Sequence, residues 1–442
     1  MSDALAATAT DFVRGEKLPL SHPANQPVAK VFRRLLPMLL LCYFIAFIDR
    51  VNVGFAAAEM NRDLGFNATI YGLGAGIFFV GYFLFEVPSN LALHRIGARR
   101  WIARIMVTWG LIAGGMAFVT GEKSFYTLRF LLGAAEAGFF PGVIYYLTFW
   151  LPSAYRARLL GIFYVAIPVA VVIGSLISAP LLKLDGMGGL HGWQWLFIIQ
   201  AVPAVVLGIA FWAFMQDGPA DATWLTPAER TDLLARIEHD RVRNSPAVPE
   251  SPLGALTHPG VVKLSCIYFC MNLAGVGLVL FLPQIVAGFG AGPNWSPVIT
   301  GIPYLVAAVF LPFWGRFSDA DGRRRLHAAF GAACVCLGLG LCVTVSNPVI
   351  MLALISVAAV GVYAFAPPFW ALSSTLLTGS AAAAGLAAIN SVGNLSGFLG
   401  PFLMGWIRDS TGSFSVGLLC IAIGPLCAAL AMIAMSDRQF TR

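Results

Sequence analysis

Charge is scarce in this sequence: 11% of its 442 residues are Asp, Glu, Lys or Arg, while 58% are apolar. A soluble chain carries about 25% charged residues, so there is too little charge here to coat the two or three soluble domains that such a length would form. The same numbers exclude disorder. No intramembrane His/Asp cluster, Ser/His pair or phosphate loop is found, and no soluble domain is appended, which argues against a membrane enzyme or a non-transporting sensor. The cysteines (Cys42, Cys266, Cys270, Cys334, Cys336, Cys342, Cys420 and Cys427) all fall inside apolar runs. Cys266 and Cys270 have one-turn helical spacing, but no His or carboxylate stands near to complete a metal site. They read as small packing residues, with no disulfide, metal or cofactor implied.

What is present is hydrophobic length. The mean hydropathy of +0.79 points to lipid as the solvent. A transmembrane helix needs about 20 apolar residues, and twelve would use about 240, close to the apolar count. Apolar runs lie near 35–58, 70–93, 101–121, 124–150, 157–182 and 193–215. After a polar interval they resume near 261–286, 297–316, 326–345, 348–372, 383–407 and 414–435. These runs are too long and too uniform for the alternation of a β-barrel strand. The expected fold class is an all-α polytopic membrane protein.

The net charge of +7 sorts to one face. With the N-terminus inside, cytosolic segments carry Arg33, Arg34, Arg95, Arg99, Arg100, Arg104, Arg156, Arg158, Arg316, Arg323, Arg324 and Arg325, among others. The outside carries Arg62, Lys123, Lys183 and Arg408. This asymmetry follows the positive-inside rule with both termini cytosolic, so no nucleic-acid partner is needed. Residues 1–29, with Pro19, Pro23 and Pro27, are expected to form a disordered cytosolic tail rather than a cleavable signal. The chain then divides into a six-helix bundle (30–216), a cytosolic linker (217–258), a second six-helix bundle (259–436) and a short tail (437–442). Within the linker, Thr226-Pro227-Ala228-Glu229 opens a helix, with Pro at the first helical position and an acid in the first turn. Leu233, Leu234 and Ile237 would give that helix an apolar face.

A weak repeat supports the division. After the eighth run stands Gly315-Arg316-Phe317-Ser318-Asp319-Ala320-Asp321-Gly322-Arg323-Arg324, and after the second stands Asn90-Leu91-Ala92-Leu93-His94-Arg95-Ile96-Gly97-Ala98-Arg99-Arg100. Gly97 and Gly322 permit a tight turn. In the second copy, Gly315, Asp319, Gly322, Arg323 and Arg324 are candidates for a conformational lock between helices.

Against this background, ionisable groups inside the runs stand out, since burying charge in lipid is expensive and by default functional. Asp49 and Arg50 lie in the first run, Arg129 and Glu136 in the fourth. At 1.5 Å per residue, Asp49 is about 20 Å above the start of its helix and Glu136 about 18 Å below the start of its own. Both fall near the middle of a core about 30 Å thick. Arg129 and Glu136 are seven apart and share a face. Two acids and two bases are thus expected to neutralise one another around a central cavity. Glu86 lies lower on the second helix as a candidate gate, with Tyr82 one turn above it. Tyr43 and Phe47 are one turn apart on the first helix. On the eleventh, Asn390 and Asn394 share a face, and their amides can donate to a carboxylate or hydroxyl without adding charge. Phe369 and Trp370 could supply aromatic walls.

The motif G-x3-D-x2-G-R-R at 315–324 is identified as that of the major facilitator superfamily; the first copy has Asn90 and His94 where Gly and Asp are expected. Within that superfamily, Ile48-Asp49-Arg50-Val51-Asn52-Val53-Gly54, Phe83-Leu84-Phe85-Glu86-Val87-Pro88-Ser89-Asn90, Arg129 through Pro141-Gly142, and Gly192-Trp193-Gln194-Trp195-Leu196-Phe197 resemble the anion:cation symporters. These include tartrate, phthalate, hydroxyphenylacetate and sugar-acid permeases. The resemblance spans roughly residues 30–435. It implies a major facilitator fold of two six-helix bundles that rock about a central site. It further implies a monomer in a bacterial cytoplasmic membrane that takes up a small carboxylate with protons and no other cofactor. By motif, Asp49 and Glu136 would carry the proton and Arg50 would hold the substrate carboxylate. Arg129 would organise the acids while also facing the site, and Tyr82, Asn394, Asn390, Phe47 and Trp370 would complete it. The fifth helix lacks the glutamine of some sugar-acid members, which speaks against a sugar acid. The Gly-x-x-x-Gly-Pro signature of drug exporters is broken at Gly174–Pro180, which speaks against export.

Overall fold

A computed structural model of the chain describes residues 25–243, 252–292, 295–375 and 379–435. The expected tails, at 1–24 and 436–442, and the linker segment 244–251 lie outside the described residues. Among the described residues the regular elements are helices, and twelve helical stretches are long and apolar enough to cross a membrane. The first half comprises α1 (Gln26–Leu64), α2 (Ala68–Ile96), α3 (Ala98–Gly115), α4 (Glu122–Glu136), α5 (Phe139–Thr148), α6 (Ser153–Leu182) and α7 (Gly192–Phe214). Two shorter helices follow, α8 (Pro227–Arg243) and α9 (Pro252–Thr257). The second half comprises α10 (Pro259–Gly288), α11 (Ser296–Asp321), α12 (Arg324–Leu341), α13 (Pro348–Ser373), α14 (Gly379–Thr411) and α15 (Phe414–Ala434). The first helix thus begins at Gln26, inside the stretch expected to be tail.

Packing repeats between the halves. In the first, α1 packs on α6, α2 on α4 and α3 on α7; in the second, the corresponding pairs are α10 on α14, α11 on α13 and α12 on α15. Lipid supplies no hydrophobic drive between helices, so close backbone approach through small residues takes its place. Gly133 of α4 lies against the backbone of Phe78 on α2, and Gly81 of α2 against the backbone of Phe130 on α4.

The halves meet along three seams, and these contacts lie at the end of the bundle away from the termini. On the first, the glycines Gly72 and Gly76 of α2 press against the backbone of Pro401 and Phe398 on α14. Asp409 of α14 also caps the start of α2, accepting from the backbone N–H of Ala68 at 3.1 Å and of Thr69 at 2.7 Å. On the second, α1 and α2 meet α10: Tyr71 donates to the Leu280 carbonyl at 2.9 Å, and Asn61 donates to Gln284 at 3.5 Å. On the third, Gly301 of α11 lies against Ser175 of α6.

The fourth span differs from the continuous helix expected over 124–150. It is two helices, broken at Ala137 (ψ 132°) and at Gly138, which takes the left-handed conformation with φ 85°. Pro141 explains the position. Having no N–H, it cannot bond to the carbonyl of Ala137, and its ring clashes with that carbonyl if the helix continues. Glycine then takes the left-handed turn without strain.

The linker helix α8 docks on the first half. Its start is a capping box in which Thr226 N–H donates to Glu229 at 3.0 Å and Glu229 N–H donates back to Thr226 Oγ1 at 3.3 Å. Leu233 is fully buried. Glu229 also pairs with Lys30 at 2.7 Å, and Asp240 accepts from the Ser153 N–H at 2.9 Å. Burial works against the Glu229 charge, but the Lys30 ammonium and the Thr226 donors outweigh it and hold the carboxyl below its usual range.

Two outcomes follow. Gly133→Leu should force α2 and α4 apart at a cost of at least about 1–3 kcal/mol, seen as a lower apparent melting temperature in detergent. A lowered carboxyl pKa stabilises above its unfolded value, so the Glu229 contribution is present at neutral pH and lost as pH falls through the acid range. Glu229→Gln should therefore lower the amide protection factors of α8 at pH 7 to the values the wild type reaches only in acid, by the ~0.2–1 kcal/mol of an exposed pair.

Candidate functional site

A cavity of about 190 Å³ lies between the halves, lined by residues of α1, α2, α6, α10, α11, α13 and α14. That is below the roughly 300–1,000 Å³ of sites for drug-sized ligands, and suits a smaller molecule. Arg50 is the cation among its lining residues, and Phe47 and Asn394 line it as well. The remaining polar lining is Tyr164, Tyr268, Asn272, Tyr304 and Tyr363.

Arg50 forms an ion pair with Glu136, donating through its terminal nitrogen. The Glu136 side chain is 2% exposed, while the Arg50 side chain, which lines the cavity, is 27% exposed. Three rings surround Arg50: its guanidinium carbon lies 5.2 Å from the Phe47 centroid, 5.6 Å from Phe78 and 5.5 Å from Tyr82. Cation–π attraction of this kind is strongest where water is excluded. The break after α4 puts Glu136 at a helix end, so its carboxylate reaches Arg50 from a helix terminus rather than from mid-helix.

The neighbouring residue points elsewhere. Asp49 is 2% exposed, and accepts from the Trp109 indole at 2.7 Å and from Asn52 at 3.5 Å. Trp109 packs edge-on against Phe139 at the start of α5, with centroids 5.3 Å apart, so the Asp49 partner touches the segment that begins just after the break. Arg129 is 1% exposed, and spends its donors on the α2 carbonyls of Gly74 at 3.3 Å and Ala75 at 3.0 Å. Its guanidinium lies 5.0 Å from the Phe78 centroid, so one ring stands next to both arginines. The expected four-charge network is therefore, among the described residues, one ion pair flanked by an acid held by neutral donors and a base held by carbonyls. Arg129 does not appear on the cavity wall.

Glu86 bridges the halves. It is 6% exposed, and accepts from Ser391 of α14 at 2.9 Å, with Asn390 also bonded to it. Tyr82 contributes its ring to the Arg50 cage and is 5% exposed. Trp370 stands behind the wall, edge-on to Tyr268 at 5.0 Å, and Phe369 stacks on Tyr268 at 5.4 Å. Sequence reasoning missed Tyr164, Tyr268, Asn272, Tyr304 and Tyr363. Tyr268 and Asn272, one turn apart within an apolar run, were the available signal; Tyr304 and Tyr363 had no comparable amide neighbour to mark them.

The loop motif ties helices of the second half to one another. Gly322 takes the left-handed conformation that ends α11, with φ 69°. Asp321 pairs with Arg323 at 3.8 Å and His327 at 2.9 Å, and Arg324 donates to the Ala371 carbonyl of α13 at 3.3 Å. These partners all belong to the second half. Gly315 has open space around it, and the Asp319 side chain lies outside the described residues. In the first copy, Asp217 fills the acidic role, meeting Arg99 at 3.5 Å.

Residues 39–401 and 264–442 match the family model described as Major Facilitator Superfamily. Among curated relatives, a protein of Agrobacterium vitis named "Putative tartrate transporter" is 46% identical, over 89% of this chain and 87% of its own length. A "Quinolone resistance transporter" of Acinetobacter baumannii is 41% identical, over 88% and 90%. The inner membrane transport protein RhmT of Escherichia coli (strain K12) is 36% identical, over 91% and 93%. Among solved structures, a bacterial homolog of the human lysosomal transporter Spinster superposes with a TM-score of 0.75 at 16% identity, covering 93% of this chain and 99% of that one. A D-xylose-proton symporter superposes with a TM-score of 0.69 at 17% identity, covering 91% and 96%. At these identities the likeness is one of fold.

Glu136→Leu should strand a buried guanidinium and cost about 3 kcal/mol, the low end of the range for a broken buried pair because the cavity exposes Arg50. Arg50→Met combined with Glu136→Leu should recover most of that loss. Melting temperatures of the two single variants and the double variant in one detergent measure the coupling.

Proposed function

Because the chain belongs to the Major Facilitator Superfamily, as an integral membrane transporter and not an enzyme, we propose that it takes up a small organic anion together with protons. On this reading it is an anion:cation symporter of a bacterial cytoplasmic membrane, working as a monomer with both termini in the cytosol and driven by the proton gradient without another cofactor. The Arg50–Glu136 pair at the cavity wall is the observation that carries it.

A guanidinium in a low-dielectric site needs partners, whether an anion or carbonyl oxygens, and at Arg50 the partner is an anion. Glu136 is that anion when the site is empty. Protonating Glu136 removes its charge and leaves Arg50 free to take a substrate carboxylate, with bidentate geometry available to the planar fork. The site then holds one cation and one anion again, with one proton added to the protein. Asp49, one residue from Arg50 and tied to Trp109, serves as a second proton position, and Glu86 and Asn390 act at the contact between halves. Arg129 acts from behind Phe78, organising the acids rather than touching the anion. Tartrate appears in the name of the Agrobacterium vitis relative, which supports an organic acid as cargo. Export is the alternative, and the resistance transporter of Acinetobacter baumannii supports it by its name.

Proteoliposomes with an inward proton gradient separate the two. Symport predicts that adding tartrate or an aromatic carboxylate outside alkalises the outer medium and that the anion accumulates inside. Glu136→Gln should abolish accumulation while leaving anion exchange. A Glu136→Gln variant that still concentrates the anion would sink the coupling role, and anion loss driven by inward proton flow would favour export.

A further inference from the structure

The cavity has a second polar pole, which the proton-coupling reading does not use. Tyr304 of α11 lines it and is 3% exposed. Its hydroxyl has no hydrogen-bond partner among the described residues. Tyr363 of α13 stands edge-on beside it, with centroids 6.3 Å apart. A buried hydroxyl without a partner forfeits its hydration for nothing in return, and in native proteins such a group calls for an explanation. Arg50 also has an unpartnered nitrogen, Nε. The two groups belong to opposite halves, α1 and α11, and line the same cavity.

We infer that Tyr304 is a specificity-determining ligand, and that the transported anion is bifunctional: a carboxylate at Arg50 and a hydrogen-bonding group, such as a hydroxyl, a second carboxyl or a ring nitrogen, at the Tyr304 hydroxyl. This rests on the organic-anion reading of the Arg50 site and adds the far end of the molecule. A tyrosine hydroxyl can both donate and accept, so it does not choose among those groups. It does discriminate against a molecule with none, because the hydroxyl then stays buried and unpaired. The bifunctional anion also joins the first half to the second through its own length. A monofunctional acid of the same shape satisfies Arg50 and leaves the second half unengaged.

The test uses the full chain in nanodiscs and matched acids: butyrate against succinate, and benzoate against 4-hydroxybenzoate. Binding is read as the ligand-induced rise in melting temperature, and transport in proteoliposomes. The wild type should favour the bifunctional member by about tenfold or more in the pair that fits the cavity, and Tyr304→Phe should erase that preference by weakening the bifunctional member alone. The unliganded Tyr304→Phe protein should melt at the same temperature as the wild type or higher, because an unpaired buried hydroxyl has been removed. A wild type without preference in either pair, a preference that survives Tyr304→Phe, or an unliganded variant that melts lower overturns the inference. Arg50→Lys tests the underlying reading separately. If every acid binds as well without the guanidinium, the carboxylate site is misplaced, whatever Tyr304 does.

Discussion

Much of this molecule is arranged around one partly exposed guanidinium, that of Arg50, and the carboxylate that neutralises it. The ring cage of Phe47, Phe78 and Tyr82 keeps water from the cation on the protein side. The cavity leaves one side of it open. Glu136 fills the anionic place from a helix end that exists because Pro141 cannot continue the fourth span. The Arg50–Glu136 pair thus places the cation among the described lining residues directly against a buried carboxylate.

The two flanking charges gain their sense from this centre. Neither Asp49 nor Arg129 has a counter-ion within ion-pair distance among the described residues; neutral donors hold the first and carbonyls the second. Phe78 stands beside both arginines and so separates a cation that can change partner from one whose partners are backbone. A fixed cation bonded to two carbonyls of α2 sets the register of that helix against α4. It does so where Gly81 and Gly133 let the helices approach, and the register in turn positions Tyr82 under Arg50.

Much of the architecture was legible in the residues. Apolar length marked twelve spans, and the polar interval with its Thr226–Glu229 capping box marked the division between halves. The unusual charges were legible as unusual, because depth in a membrane follows from counting along a helix. Their partners were not. Asp49 and Arg50 are adjacent in sequence and so project about 100° apart on a helix, which sends one to Trp109 and the other to Glu136. Equal numbers of acids and bases suggested mutual neutralisation, and nothing local revealed that backbone carbonyls would serve Arg129 instead. The tyrosines of the second half were hidden for a similar reason: in apolar runs a hydroxyl at the cavity wall and one facing a neighbouring helix look alike.

The Asp409 contact with α2 has a consequence for how the halves can separate. Asp409 belongs to one half and the amides it satisfies belong to the other. Parting the halves at that end takes the Asp409 carboxylate from the amides of Ala68 and Thr69, leaving Asn67 to cap α2 through the Ile70 N–H. It uncovers the glycine faces of α2 at the same time. Separation there is thus one concerted event, in which polar and close-packed contacts are lost together.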